Sequence, residues 1–497
     1  MSSQSRKTPP PAITRVASGL PELDTVLGGG LIQGSCYILQ GSPGTGKTIL
    51  ANQICFSQAK HGKKSLYLTL LSESFTQMFG FMGSLDFFDI TKVPKHIYYV
   101  SAYQNLRSEG TDALLRLILQ EIRKHRPAIL VFDGAIAIEE MFTPPNRESM
   151  FRRFVNELSG VAIQHQVTII LVTNSDRNPS SPEYTMVDGW IELLDDLTRH
   201  HPSRSLIVHK HRGGPMFRGR HEYRITNQGI TLFPRIESLP QLPEQLSAST
   251  NRLRSGVEGF DRMMGGGIPE YSATAVIGPT GSGKTSIGLH FLADATPEQP
   301  ALFVGFYEEI PRLCRRAEAI GVDLEKGVAC GAITMRRIAP ADYLLDEIGH
   351  NILNETASVK ARKIVLDGLH ETCRPLADAT RLRIFLRCLN DRLLALKATV
   401  LYTYEVPQLF FPDALRPGQF SGLVDNTLLL HYARSGHRVE RKATILKVRD
   451  SDFDHTGRTF RITDKGLILD EPIASRPEIA TADPQLGDLQ ATAKGSQ

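Results

Sequence analysis

The chain is written twice. The glycine-rich run GSPGTGKT, Gly41 to Thr48, returns as GPTGSGKT, Gly278 to Thr285, and Lys284 stands 237 residues after Lys47. The same offset lays GLPELDTVLGGG (Gly19 to Gly30) over GVEGFDRMMGGG (Gly256 to Gly267), and Val187-Asp188 over Val424-Asp425. It also lays Lys210 and Arg212 over Lys447 and Arg449, and RITNQG (Arg224 to Gly229) over RITDKG (Arg461 to Gly466). A period shared by motifs at both ends of the repeat means a duplicated domain, so whatever fold the first half takes, the second takes too.

The length of 497 residues suits this reading, since roughly 200 residues can bury an independent core. Residues 1–12 read as a disordered tail, 13–237 as the first domain and 238–250 as a linker, with 251–472 the second domain and 473–497 a flexible tail. Within each half, short β-branched runs alternate with longer amphipathic stretches. AILVFDG, VTIILVT and SLIVHKH in the first half are answered by KIVLDG, TVLYTY and TLLLHYA in the second. This alternation predicts an α/β fold in which each domain is a mainly parallel sheet flanked by helices.

Each glycine-rich run fits GxxxxGK[ST], follows an apolar run (CYILQ or ATAVI) and opens into a helix-like stretch. Glycines there let successive backbone N–H groups converge on phosphate oxygens at a helix N-terminus, whose partial positive charge favours an anion. The expected nucleotide-binding residues are therefore Gly41, Ser42, Gly44, Thr45, Gly46, Lys47 and Thr48. The second set is Gly278, Thr280, Gly281, Ser282, Gly283, Lys284 and Thr285. Lys47 and Lys284 should reach the β and γ phosphates of ATP, and Thr48 and Thr285 should hold Mg2+. Asp133 and Asp367, ending the runs ILVFD and KIVLD, are the carboxylates expected to position that ion. An aspartate that merely starts a turn is the bland alternative.

Hydrolysis also needs a base for the attacking water. After ALFVGFY the second half offers adjacent Glu308 and Glu309, whereas LTLLSES in the first half offers Glu73 alone, with Ser72 beside it. A solvated helix start would use the same acids.

With 57 basic against 53 acidic residues the net charge is only +4, so no global polycation argues for nucleic acid or an anionic membrane. The six cysteines show no CxxC pair and read as free thiols of a reducing compartment. No apolar run approaches membrane-spanning length, and the protein is expected to be soluble and cytoplasmic. One dense basic stretch, HKHRGGPMFRGRHEYR (His209 to Arg224), admits three uses. It could contact nucleic acid, form a solvated strand edge, or send Lys210 and Arg212 to a neighbouring subunit's γ-phosphate. The recurrence of Lys447 and Arg449 at the same repeat position favours the third.

These residues resemble a known family, the tandem P-loop ATPases of the RecA superfamily, of the KaiC type. The resemblance rests on the SG and GGG approach to each P-loop, on FYEEIPRLCRRAEAIG (Phe306 to Gly321) and on the closing K-x-R and RITDKG pattern. It implies two stacked RecA-like P-loop NTPase domains, six subunits in a double ring, and ATP sandwiched between adjacent subunits. It also implies catalytic glutamates at Glu308 and Glu309, in-trans cations at Lys210, Arg212, Lys447 and Arg449, and regulatory protein partners of KaiB type. The family's clock member autophosphorylates on a neighbouring Ser and Thr. Here Ser421 occupies the serine's place, but Gly422 replaces the threonine. Ser72, in place of one glutamate, leaves the first domain readable as an ATP-filled spacer.

Three classes of function follow. The first is a slowly hydrolysing Mg2+-dependent ATPase ring, with autokinase activity at Ser421 as an added property, in signalling or timing. The second is a DNA-acting RecA relative, against which stand the near-neutral charge and the absence of an aromatic-basic ladder. The third is a scaffold that ATP closes without turnover.

Overall fold

The computed structural model describes residues 13–70, 75–135, 137–138, 147–174, 183–197, 202–240, 249–339, 343–407, 422–435 and 437–470. Apart from a two-residue ribbon in each half (Arg15–Val16 with Leu31–Ile32, and Arg252–Leu253 with Ile268–Pro269), the strands of the first half are β1 (Cys36–Gly41), β2 (Ser65–Thr69), β3 (Ile97–Ser101), β4 (Ile129–Asp133), β5 (Thr168–Thr173), β6 (Gly189–Asp196), β7 (Ser203–His211), β8 (His221–Thr226) and β9 (Gly229–Phe233). The second half has β10 (Ala273–Gly278), β11 (Ala301–Gly305), β12 (Ile333–Arg337), β13 (Lys363–Asp367), β14 (Thr399–Glu405), β15 (Asn426–Ser435), β16 (Arg438–Lys447), β17 (Arg458–Thr463) and β18 (Gly466–Leu469).

Each set forms one nine-stranded sheet, in the order β3-β2-β4-β5-β1-β6-β7-β8-β9 and β12-β11-β13-β14-β10-β15-β16-β17-β18. The second order is the first moved on by nine strands, so the duplication read in the sequence is a duplication of topology. In each sheet the six strands from β3 to β6, or β12 to β15, run parallel, and the last three return antiparallel.

Helices cover both faces: α1 (Lys47–Lys60), α2 (Phe75–Met82), α3 (Tyr103–His125) and α4 (Arg147–His165) in the first half. The second half has α5 (Lys284–Leu292), α6 (Ile310–Ala319), α7 (Leu345–Val359), α8 (Leu369–Cys373) and α9 (Ala379–Ala395). The apolar strand runs divide by pleat. Tyr37, Leu39, Val131 and Ile170 pack with Leu50 and Ile54 of α1, while Ile38, Leu66, Leu130 and Ile169 pack with Ile118 of α3 and Phe154 of α4. A strand whose two faces are both buried reads as a continuous apolar run, which is why no alternation marked these segments. Among the described residues no helix is long and apolar enough to cross a membrane. The cysteines are free, with Cys36, Cys55 and Cys373 buried.

The two halves meet through charge. After β9 the chain turns at Ile236, which is buried among second-half residues such as Ile348 and Phe385. Asp346, at the start of α7 and fully buried, accepts from the Ile236 N–H (3.2 Å) and from Arg381 of α9 (2.5 Å), and its own N–H donates to Glu222 of β8 (2.8 Å). Arg381 also lies 3.4 Å from Glu237 and 3.7 Å from Glu222. Arg224 donates to Glu347 (2.7 Å), and His350 donates to the Pro234 carbonyl (2.7 Å).

Glu222, Glu237 and Asp346 thus crowd one guanidinium. Burial first, then the Glu222 charge, push Asp346 up to about 8. The folded chain therefore holds a proton that the unfolded chain releases near the ordinary value of 3.8, so this group's stabilisation, complete below that value, is lost as pH rises toward 8. Between about pH 6 and 9, Asp346→Asn is expected to flatten the fall of the melting midpoint by about 5 °C relative to the parent. Scanning calorimetry across that range checks it, and parallel slopes for the two proteins would remove the proton from the junction.

Candidate functional site

All six parallel strands of a sheet end on one edge, and there the sequence motifs gather. The first glycine-rich loop joins β1 to α1 and the second joins β10 to α5. Gly46 and Gly283, the residues just before the helices, have φ of 91° and 106°, in the left-handed region that glycine tolerates. A Cβ on Gly46 would meet Ile225 Cδ1 at 2.7 Å, and one on Gly283 would meet Ile462 Cδ1 at 3.0 Å. Those isoleucines belong to the repeated RIT segments, whose recurrence is now explained: they brace the glycine loops from β8 and β17. No side chain caps either helix, so its first N–H groups face the loop's interior and suit an anion.

Each lysine straddles its loop. Lys47 Nζ donates to the Gly41 and Ser42 carbonyls (2.6 and 3.0 Å), and Lys284 Nζ to those of Gly278 and Pro279 (2.9 and 2.8 Å). Burial lowers both lysines; Asp133 opposes the shift at Lys47, and Glu405 leads the opposition at Lys284.

Asp133 ends β4 and accepts from Thr48 Oγ1 at 3.4 Å; Asp367 ends β13 and accepts from Thr285 Oγ1 at 3.1 and 3.2 Å. A hydroxyl and a carboxylate are hard oxygen donors of the kind Mg2+ prefers, so the residues present fit that ion. Burial raises both aspartates. Their supports differ. Tyr67 of β2 donates to Asp133 (2.5 Å), whereas Thr403 of β14 donates to Asp367 (2.6 Å). By strand register the counterpart of Tyr67 is Phe303, and that of Thr403 is Val172. The same buried carboxylate is held from opposite neighbouring strands in the two halves.

The second cradle opens on a cleft of about 870 Å³ lined by Lys284, Thr285, Glu308, Arg316, Asp367, Glu371, Glu405 and Arg441, among others. Glu308 faces it and pairs with Arg316 (2.7 Å); Glu309 turns away to Arg337 (2.9 Å) and is the more exposed of the two. Glu73 and Ser421 lie outside the described residues.

The Lys-x-Arg pairs sit at the opposite edge. Asp188 accepts from the N–H of Cys36, the first residue of β1, and lies 3.8 Å from Arg212; Asp425 accepts from the N–H of Ala273, the first residue of β10, and lies 3.2 Å from Arg449. Lys210 donates to the Tyr184 and Thr185 carbonyls (3.0 and 2.8 Å), and Lys447 to that of Val424 (2.9 Å). The length of a six-residue strand, about 17 Å, separates each pair from the cradle of its own domain. Lys447 and Arg449 line a separate cavity of about 1090 Å³. Sequence reasoning missed Tyr67, Thr403, Glu371 and Glu405; the repeat register is the signal that exposes them.

Two such domains, each with a glycine loop, a lysine and a magnesium-type aspartate at one sheet edge, define a tandem P-loop nucleoside triphosphatase of RecA-like architecture. A family model described as "ATPase: KaiC" matches residues 16–237 and again 253–473, and the chain belongs to that ATPase family. It is 24% identical over 494 residues to the circadian clock oscillator protein KaiC of Picosynechococcus sp., covering 95% of this chain and 92% of that protein. It is 25% identical over 491 residues to the protein of the same name from Parathermosynechococcus lividus, covering 95% and 88%. KaiC 1 of Synechocystis sp. matches at 24% over 495 residues, covering 96% and 93%.

Tyr67→Phe removes a donor from a buried carboxylate and is expected to cost the first domain about 1–3 kcal/mol, with Thr403→Val costing the second a similar amount. Chemical denaturation of the full chain measures both. Parent-like stability would mean that the carboxylate finds another donor.

Proposed function

We propose that this chain forms a ring, six subunits in the family's manner, in which both cradles bind Mg-ATP and the second hydrolyses it slowly. Lys284 and the first N–H groups of α5 hold the phosphates, Thr285 and Asp367 hold Mg2+, and Glu308 polarises the attacking water. When bound, Mg2+ would supply charge neutralisation of the triphosphate. Lys447 and Arg449 complete the cleft of the adjacent subunit, and Lys210 and Arg212 do so in the first tier. The first domain, with Glu73 as its lone acid, is the steadier ATP holder. The names of the relatives support a place in timing; a cytoplasmic location and regulatory partners of KaiB type complete this reading, as the resemblance to the family implies.

What carries the reading is the strand-length separation between each cradle and its own Lys-x-Arg pair. Charges that cannot reach their own nucleotide can reach a neighbour's in a head-to-tail ring. Lys284→Ala and Arg449→Ala should each abolish second-site turnover. Mixed in equal amounts, they should restore about a quarter of it, the fraction of randomly formed interfaces joining an intact cradle to an intact arginine. No recovery on mixing would place the arginine outside the reaction.

ATP labelled at the γ-phosphate tests the chemistry in the parent, Lys47→Ala and Lys284→Ala. Released phosphate that survives Lys47→Ala and disappears with Lys284→Ala is the expected result; assembly without release would leave an ATP-closed scaffold. Label retained on Ser421 and lost with Lys284→Ala would add autokinase activity, reduced to one site because Gly422 stands where the family has threonine.

A further inference from the structure

The second cradle carries an acid that neither the phosphate loop nor the magnesium site requires. Glu405 ends β14 directly opposite Gly278, the last residue of β10, and the strands stay joined one step further as Val406 N–H donates to the Gly278 carbonyl (3.2 Å). This pairing lays the Glu405 carboxylate along the phosphate loop. Oε1 accepts from Thr280 Oγ1 at 2.9 Å, and Oε2 lies 3.5 Å from Lys284 Nζ. Glu371 of α8 accepts the Glu405 N–H at 2.8 Å and lines the same cleft. Glu371 is itself raised by burial, with the Glu405 charge adding to the shift.

The first cradle lacks these groups. With Asp133 and Asp367 superposed in register, Asn174 takes the place of Glu405 and Ala137 that of Glu371, while Pro43 stands where Thr280 does. The scaffold therefore does not demand the acids. They set negative charge against a lysine whose place in the cradle is to meet phosphate: Lys284 is nearly buried, and Glu405 is the carboxylate paired with it.

We propose that Glu405 is a release-determining residue of the second site: its carboxylate competes with the terminal phosphate of the nucleotide for Lys284, loosening the site's hold and speeding product departure. Glu371 fixes its backbone, and Thr280 ties the carboxylate to the loop. The inference rests on the reading of the second cradle as an ATP site. A negative charge within reach of the same ammonium as the triphosphate opposes binding, the more so where the cleft walls restrict water, and salt screens the part that is exposed.

The test uses the full chain carrying Lys47→Ala, so that the second cradle alone binds, with N-methylanthraniloyl ATP and ADP as probes. Glu405→Gln keeps the length and the acceptor for Thr280 but removes the charge. It should tighten binding of both probes about tenfold, chiefly through slower dissociation, with KM falling and the gain shrinking as salt is raised. Glu405→Asp, which keeps the charge, should return to parent values. Asn174→Glu in a Lys284→Ala background should weaken the first site. Parent-like or weaker binding by Glu405→Gln would overturn the latch while leaving the ATP site standing. Failure of the unsubstituted second cradle to bind either probe would overturn both.

Discussion

The fold depends on a parallel sheet buried on both faces. Because six neighbouring strands run the same way, their carboxyl ends share one edge, and each strand that ends there can present one polar residue without placing it inside the core. Gly41 and Gly278, Asp133 and Asp367, and Glu405 stand at such ends, and Glu308 follows three residues after Gly305, the last residue of β11. The antiparallel return of β6 to β7, and of β15 to β16, reverses direction and delivers Lys210 and Lys447 to the far edge. One topological choice thus separates the glycine-loop lysines from the Lys-x-Arg charges of the same domain.

The repeat made much of this legible. An offset of 237 residues paired the glycine loops, the Lys-x-Arg motifs and the RIT segments before any geometry was known, because each lies where the backbone itself is constrained. Groups that act only through side chains gave weaker signals. Tyr67 sits inside SLYLT and reads as a core aromatic; its hydroxyl matters because a buried aspartate lies across the strand register. Glu405 reads as a solvated strand exit until the pairing with Gly278 is known. Glu308 and Glu309 look equivalent as neighbours, but at a strand-to-helix turn successive side chains diverge, and only Glu308 lines the cleft. The junction acids were invisible for another reason: Glu222 and Asp346 are 124 residues apart, and no period links them.

One topology with two different linings makes the two sites electrostatically unequal. In the first, a tyrosine supports the aspartate, and proline, alanine and asparagine occupy the places where the second has Thr280, Glu371 and Glu405. The second cleft sets Asp367, Glu308, Glu371 and Glu405 against Lys284, Arg316 and Arg441. On the proposed reading a phosphate entering it meets this fixed negative charge, and salt screens the exposed part of that opposition.

The junction ties the two domains together through the same core that underlies the second site. α7 and α9 carry Asp346 and Arg381 against the first half and pack on the second sheet through Ile348, Ile352, Phe385 and Leu389. That cluster includes Leu366, next to Asp367, and Leu369 of α8, two residues from Glu371. Packed side chains transmit displacement because interiors are close to crystal density and leave no slack to absorb it. The core layer against which Arg381, Glu222, Glu237 and Asp346 are arranged is thus the same layer that seats α8, the helix that carries Glu371.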